Sequence, residues 1–257
     1  MIDGSVDIVA AIGDEWGEDS PLAMLWTSLS VLAAERDRET SVEFVCDVVV
    51  ERLGMTAACL VVSSRAGTDV LRYSTGDFGD RLTEIEVTVG EGPVGESLDL
   101  ASSVFVSDLD AASSLRRWPL FAPLAVDAGA RSCFMFPLAV GVVRIGVLAL
   151  YHLEPGSPGA VDLSKALLFA DLLLALMLVE LAGPDHPVPT PPGDGFPLVG
   201  PEVHQAAGMI AAQLDIDMDD AFARLRARAF ADGRRLTDLA TDVIERRLRF
   251  TTDPDLR

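Results

Sequence analysis

The stretch "FARLRARAFADGRR", residues 222–235, gathers five arginines: Arg224, Arg226, Arg228, Arg234 and Arg235. Guanidinium groups present planar forks of donors that match the oxyanions of phosphate and carboxylate. The chain otherwise has little positive charge, with a single lysine, Lys165, and a formal net charge of −20. That total disfavours nonspecific attraction to polyanions, so any phosphate chemistry has to be local. The charge is unevenly spread: residues 1–200 hold 11 Lys+Arg against 29 Asp+Glu, whereas residues 201–257 hold nine Arg against 11. The bland alternative is a solvated helix face whose arginines pair with Asp219, Asp220 and Asp232.

Other candidate chemistry is sparse. "GEGPVG", 90–95, fits the spacing of a dinucleotide fingerprint. Glu91 would face a phosphate with the wrong sign, and the flanking pattern is not βαβ, so a glycine-permitted turn is expected. His152, His186 and His204 are scattered, and no HExxH, Walker A or G-x-S-x-G pattern occurs. Cys46, Cys59 and Cys133 sit far apart in apolar runs, as buried reduced thiols do, and predict neither a metal site nor a redox pair. Asp108 and Asp110 end a strand and fit a turn cap. With no catalytic constellation, a non-enzyme is expected, with no metal and no cofactor.

The elements that would position these residues fall into two groups. Residues 21–36 and 40–53 have helical periodicity, with Gly54 as a stop. "AACLVVSS" (57–64), the turn "RAGT" and "DVLRYST" (69–75) predict a β-hairpin. "EIEVTV" (84–89) alternates apolar and polar residues and predicts another strand. A short helix over 93–101 with Pro93 in its first turn, the strand "SVFVSDL", and a loop and helix over 116–129 follow. Trp118 and Phe121 are available there to fill the core or line a pocket. "RSCFMFPLAV" and "RIGVLALYHL" predict a second hairpin, and 163–182 a long helix. The expected architecture is α+β, an antiparallel sheet with helices on one face.

The long helix is apolar nearly all round, but Lys165, Asp171 and Glu180 interrupt it, so it predicts a helix buried on two sides rather than a membrane span. One side would cover its own sheet and the other a second copy of the chain, giving a homodimer through 163–182. Residues 1–20 read as an acidic lead-in with no signal-peptide pattern, which suits a cytoplasmic protein. Residues 183–201 are rich in proline and glycine and predict a stiff linker between domains.

Residues 202–250 read as three short amphipathic helices, followed by a tail at 251–257. The first (202–214) places Val203, Ala207, Ile210 and Leu214 on one face, and His204, Gln205, Gly208, Ala211 and Ala212 on the other. Asp217 is an N-cap for the second (218–231), which buries Ala221, Phe222, Leu225 and Ala229 and ends at Gly233. Arg224 and Arg228 then lie on its far side, and Arg226 at the edge of the apolar stripe. Thr237 is expected to cap the third helix (238–250), which buries Leu239, Ala240 and Val243. Arg234 and Arg235 stand beside its free amides, a combination suited to phosphate.

With "QAAG" in the first helix, "DDAFARLR" in the second and "GRRLTDLATDVI" leading into the third, residues 203–244 resemble the ANTAR domain. Residues 21–182 are similar to a GAF sensor domain through "GEGPVGESLDLASSVFVSDL", "RRWPLFAPLAVDAGARSCFMFPL" and "IGVLALYHLEPG". The pair resembles actinobacterial GAF–ANTAR regulators. The resemblance implies a sensor that binds a small molecule or relays a partner's signal. It also implies a dimeric RNA-binding module that grips paired hairpin loops and prevents terminator formation. The family commonly has a basic residue where this chain has Ala207, which implies one positive contact fewer.

RNA loops are read at unpaired base edges, with basic residues on phosphate. The candidate RNA-binding residues are His204, Gln205, Gly208, Arg226, Arg228, Arg234, Arg235 and Thr237. The candidate place for an unidentified small-molecule ligand lies between the sheet and the 93–129 loops, near Trp118 and Phe121. An alternative function is a dimeric protein-interaction regulator whose RNA binding has decayed, motivated by Ala207 and the acidity. Double-stranded DNA is disfavoured by Asp238, Asp242 and Glu245 on the third helix.

Overall fold

A computed structural model describes residues 20–63, 69–141, 143–182, 196–197 and 201–251. The predicted lead-in except Ser20, the "RAGT" turn, all but three residues of the linker and most of the tail lie outside the described residues.

The chain opens with α1 (Pro21–Glu35) and α2 (Val42–Leu53). Ser20 and Ser41 cap them through their hydroxyls, satisfying amides that a helix start leaves unpaired. Next come β1 (Ala57–Ser63), β2 (Asp69–Ser74), α3 (Asp77–Val89), α4 (Pro93–Leu100) and β3 (Val104–Val106). They are followed by α5 (Ala112–Arg117), α6 (Phe121–Asp127), β4 (Ser132–Val140), β5 (Val143–His152) and α7 (Ala160–Ala182). The two-residue β6 (Phe196–Pro197) pairs with Val70 and Leu71 of β2. The sheet order is β3-β4-β5-β1-β2-β6, and every pairing is antiparallel.

Two sequence expectations change here. The sheet is covered on both faces, not one. Phe134, Phe136, Leu148 and Leu150 pack against α1, α2 and α7, whereas Cys133, Met135, Val147, Ala149 and Tyr151 face α3 to α6. The near-continuous apolar runs of β4 and β5 follow from burial on both sides.

The second change is at 84–89, which is the C-terminal half of helix α3 and not a strand. Over the whole element Phe78, Leu82, Ile85 and Val89 recur at helical spacing and join the second core. Asp77 and Asp80 complement the dipole in its first turn, and Gly90, at φ +75°, ends it in the left-handed region.

The C-terminal bundle comprises α8 (Pro201–Leu214), α9 (Met218–Asp232) and α10 (Leu236–Ile244). Its core contains Val203, Ala206, Ile210, Ala221, Leu225, Ala229, Leu236, Leu239 and Val243. The Asp217 side chain caps α9 by accepting from Asp220 N at 2.8 Å, and Gly233 closes it at φ +60°. The third helix differs from expectation at both ends. It stops at Ile244 because Arg246 turns left-handed at φ +61°, and Thr237 sits inside its first turn rather than at the cap.

Candidate nucleic-acid interface

The arginines of α9 are set apart by helical geometry. Ala221, Leu225 and Ala229 point into the bundle, which leaves Arg224 and Arg228 exposed and Arg226 half-buried beside the stripe. Arg228 Nε reaches Asp232 Oδ2 at 2.7 Å, one helical turn on. Arg234 pairs with Asp242, which also holds Arg247, both at 2.7 Å. Hydrogen bonds from these two arginines hold the Asp242 carboxyl below the usual carboxylate range.

The start of α10 has an unusual cap. Its N-cap residue, Arg235, makes no side-chain cap hydrogen bond of its own. The missing acceptor comes from Glu84 of α3, in the preceding domain. Glu84 Oε1 accepts from Thr237 N at 3.2 Å and from Thr237 Oγ1 at 2.7 Å. Glu84 Oε2 accepts from Arg235 Nε at 2.7 Å. The Glu84 side chain is only 12 % exposed. That hydrogen bond raises the Arg235 pKa above its ordinary value. One carboxylate thus takes three donors at a helix N-terminus, the arrangement expected for a bound oxyanion.

The second contact lies at the C-terminal end of α3. The Arg226 guanidinium sits against Gly90, where a Cβ would collide with it. It also lies 5.6 Å from the Phe222 ring centroid. Arg226 Nε is buried and has no hydrogen-bond partner among the described residues, and burial lowers the Arg226 pKa. Between the two polar contacts, Val87 of α3 packs on the bundle core. Helix α3 is therefore shared: Leu82, Ile85 and Val89 face its own domain, and Glu84 and Val87 face the bundle.

The predicted residues divide accordingly. Arg226, Arg235 and Thr237 meet at α3, while Arg228 and Arg234 stand aside in surface pairs. Gln205 is exposed and Gly208 half-exposed on α8; the His204 side chain lies outside the described residues. Ala207 is buried at 1 % exposure. Glu84 and Gly90 had no signal in the sequence, since their partners lie more than 130 residues away.

In the preceding domain, Trp118 and Phe121 are both buried and pack edge to face at 6.4 Å in the second core. A cavity of about 260 Å³ lies on the opposite side of the sheet, lined by Met55, Phe134, His152 and Asp162 among others. "GEGPVG" is a turn: Gly90 ends α3, Gly92 begins α4, and Glu91 accepts from the amides of Leu120 and Phe121 at the start of α6. The second core also encloses the Tyr151 hydroxyl, which has no partner among the described residues. Burial pushes Cys59 up to about 11 and holds Cys46 and Cys133 well above the usual thiol range. Among the described residues, no group of three potential ligands is placed to hold a metal ion, and no helix is long and apolar enough to cross a membrane.

Comparison with known proteins bears on both parts. The GAF domain model matches residues 35–175, and the ANTAR domain model matches residues 201–244. No curated protein matches the sequence. Similar solved structures include the GAF domain region of a putative membrane protein from Geobacter sulfurreducens, at 17% identity and TM-score 0.43, covering 62% of this chain and 100% of that one. Another is the GAF domain of a phosphoenolpyruvate-protein phosphotransferase from Coxiella burnetii, at 16% identity and TM-score 0.44, covering 62% and 95%. A third is the type II free methionine-R-sulfoxide reductase from Thermoplasma acidophilum, at 16% identity and TM-score 0.40, covering 58% and 94%. With the GAF model spanning more than half of its length and the ANTAR model following, the chain belongs to the GAF domain family as a GAF and ANTAR domain regulator.

Proposed function

We propose that this chain is a cytoplasmic, signal- or ligand-regulated RNA-binding transcription antiterminator and not an enzyme, in which the ANTAR helices grip RNA hairpin loops under control of the GAF domain. The observation that carries the reading is the α9–turn–α10 unit within the ANTAR match, where arginines flank a helix start whose amide and hydroxyl donate to an oxyanion. Arg226, Arg228, Arg234 and Arg235 would neutralise phosphates, with Thr237 on the same backbone. Gln205 would bond a loop base, with Gly208 and His204 on the same helix allowing close approach. The surface pairs of Arg228 and Arg234 are easily given up to phosphate, because exposed ion pairs contribute little.

A homodimer through α7 completes the reading. Leu167 on that helix and Met24 and Val31 on α1 are exposed, while the opposite side of α7 fills the first core. Two copies supply two arginine clusters to a two-hairpin RNA and raise the effective concentration of the second contact. For ligand sensing, the candidate site is the second core, which encloses Trp118, Phe121 and the unpartnered Tyr151 hydroxyl. A buried hydroxyl without a partner costs about 1–3 kcal/mol, which a small polar molecule would recover.

Fluorescence anisotropy with a two-hairpin RNA tests the RNA reading. With about four phosphates neutralised per copy, the logarithmic salt slope of the dimer is expected near −6, at roughly −0.7 per contact. Changing Arg226 and Arg234 together to Ala abolishes binding and leaves the dimer intact. Little effect of that double change would favour the protein-interaction alternative. Absence of binding at low salt, by the wild type and by a variant freed from Glu84, overturns the reading.

A further inference from the structure

Three of the candidate RNA contacts are already engaged by the GAF domain. Arg235 Nε, Thr237 N and Thr237 Oγ1 all donate to the Glu84 carboxylate, and the Arg226 guanidinium lies against Gly90 at the end of the same helix.

The chemistry of the two contacts differs. A carboxylate and a phosphate present similar oxyanions, so donors arranged for one accept the other. Glu84 supplies the carboxylate that accepts all three donors, in a nearly closed environment, where water competes weakly. Arg226 is held without an acceptor for its buried Nε, so its burial is poorly compensated. The contact is therefore strong at one end and costly at the other, as a releasable contact requires. A stretch of RNA bringing phosphate to the Thr237 amide and hydroxyl would meet the Glu84 carboxylate already there, while the Arg235 side chain stays exposed at its outer edge.

We propose that Glu84 is an intramolecular stand-in for an RNA phosphate, and that the described arrangement is the RNA-excluding state of the regulator. The inference rests on the RNA-binding reading above and assigns its regulation: RNA and α3 compete for one surface formed by Arg226, Arg235 and Thr237. Because the apparent affinity for RNA is the intrinsic affinity scaled by the fraction of open chains, anything that draws α3 away raises it. Helix α3 is suited to carry that signal, since its other side forms part of the second GAF core.

The test uses the full chain, with a fluorescent two-hairpin RNA as probe and amide exchange over 235–241 as a readout independent of RNA. Glu84→Ala removes the acceptor. Glu84→Gln keeps the size and one acceptor but removes the charge, and it carries the test should Glu84→Ala melt the end of α10. The expected result is roughly tenfold or greater tightening of RNA binding by Glu84→Ala, a smaller gain for Glu84→Gln, and faster exchange over 235–241 in both. Equal affinity of wild type and both variants overturns the exclusion proposal and leaves the RNA reading standing. Weaker binding by the variants also overturns it, since Glu84 would then be supporting an RNA-competent helix end. No binding by any of the three overturns the RNA reading and the proposal with it.

Discussion

Gly90 and Gly54 form a matched pair for measuring the interdomain contact. Each closes a helix in the left-handed region, at φ +75° and +62°, and each donates its amide to a carbonyl four residues back. An alanine at either position pays about 1–2 kcal/mol of left-handed strain. It regains roughly 0.4–1 kcal/mol from the stiffer unfolded chain. The net loss is about 1 kcal/mol for both, or roughly 2–4 °C in Tm for a chain of this size. Only the surroundings differ. A Cβ at Gly54 meets nothing within 4 Å, whereas one at Gly90 collides with the Arg226 guanidinium. That group ends a flexible side chain, so it moves at little cost, giving up its place near Phe222 and regaining water. Gly90→Ala and Gly54→Ala should therefore melt within about 1 °C of each other. Amide exchange over 222–241, read by mass spectrometry, should rise only in Gly90→Ala, and RNA affinity should rise with it. Equal exchange in the two variants would refute the idea that Arg226 is held in place by α3.

Other outcomes follow from single groups. Asp217→Ala removes the side-chain acceptor for Asp220 N and should cost about 1 kcal/mol, seen as a lower melting temperature. Asp242→Asn loosens Arg234 and Arg247 and should raise RNA affinity severalfold in anisotropy without disturbing the fold. Burial raises the Cys59 pKa from 9.0 to about 11, so the folded state holds this proton more tightly than the unfolded chain does. The corresponding stability is fully present below about pH 9 and is lost as pH rises towards 11, which urea titrations across that window would show. The same burial predicts that a thiol reagent reacts with Cys46, Cys59 and Cys133 only after unfolding.

The C-terminal bundle was legible because its signals were local. Asp217 and Gly233 bracket a clean 3.6-residue pattern, and both act as expected. The hairpins were legible for the same reason, through alternation and uniform burial. Helix α3 was not, because "EIEVTV" satisfies period two over six residues with residues that favour strands, whereas its helical period shows only from Phe78 onward. The end of α10 was misplaced because a left-handed Arg246 carries no reliable sequence signature. Among the candidate contacts, residue type and spacing drew attention to Arg226, Arg235 and Thr237. Their common partner was invisible, since the Arg235–Glu84 pair spans 151 positions and depends on how two domains pack.

The composition of α3 has a consequence for how the two domains would communicate. Its last turn, Val87-Thr88-Val89, is built of β-branched residues that form helix reluctantly, and Gly90 follows. That turn is held in shape from two sides, by the GAF interior through Val89 and by the ANTAR bundle through Val87. Removing either neighbour leaves a segment whose local preference runs against its fold. Domain separation would then be paired with fraying of the final turn, an order-to-disorder step rather than a rigid swing. Such a step makes undocking more favourable in entropy and steeper in temperature than the lost contacts alone would give.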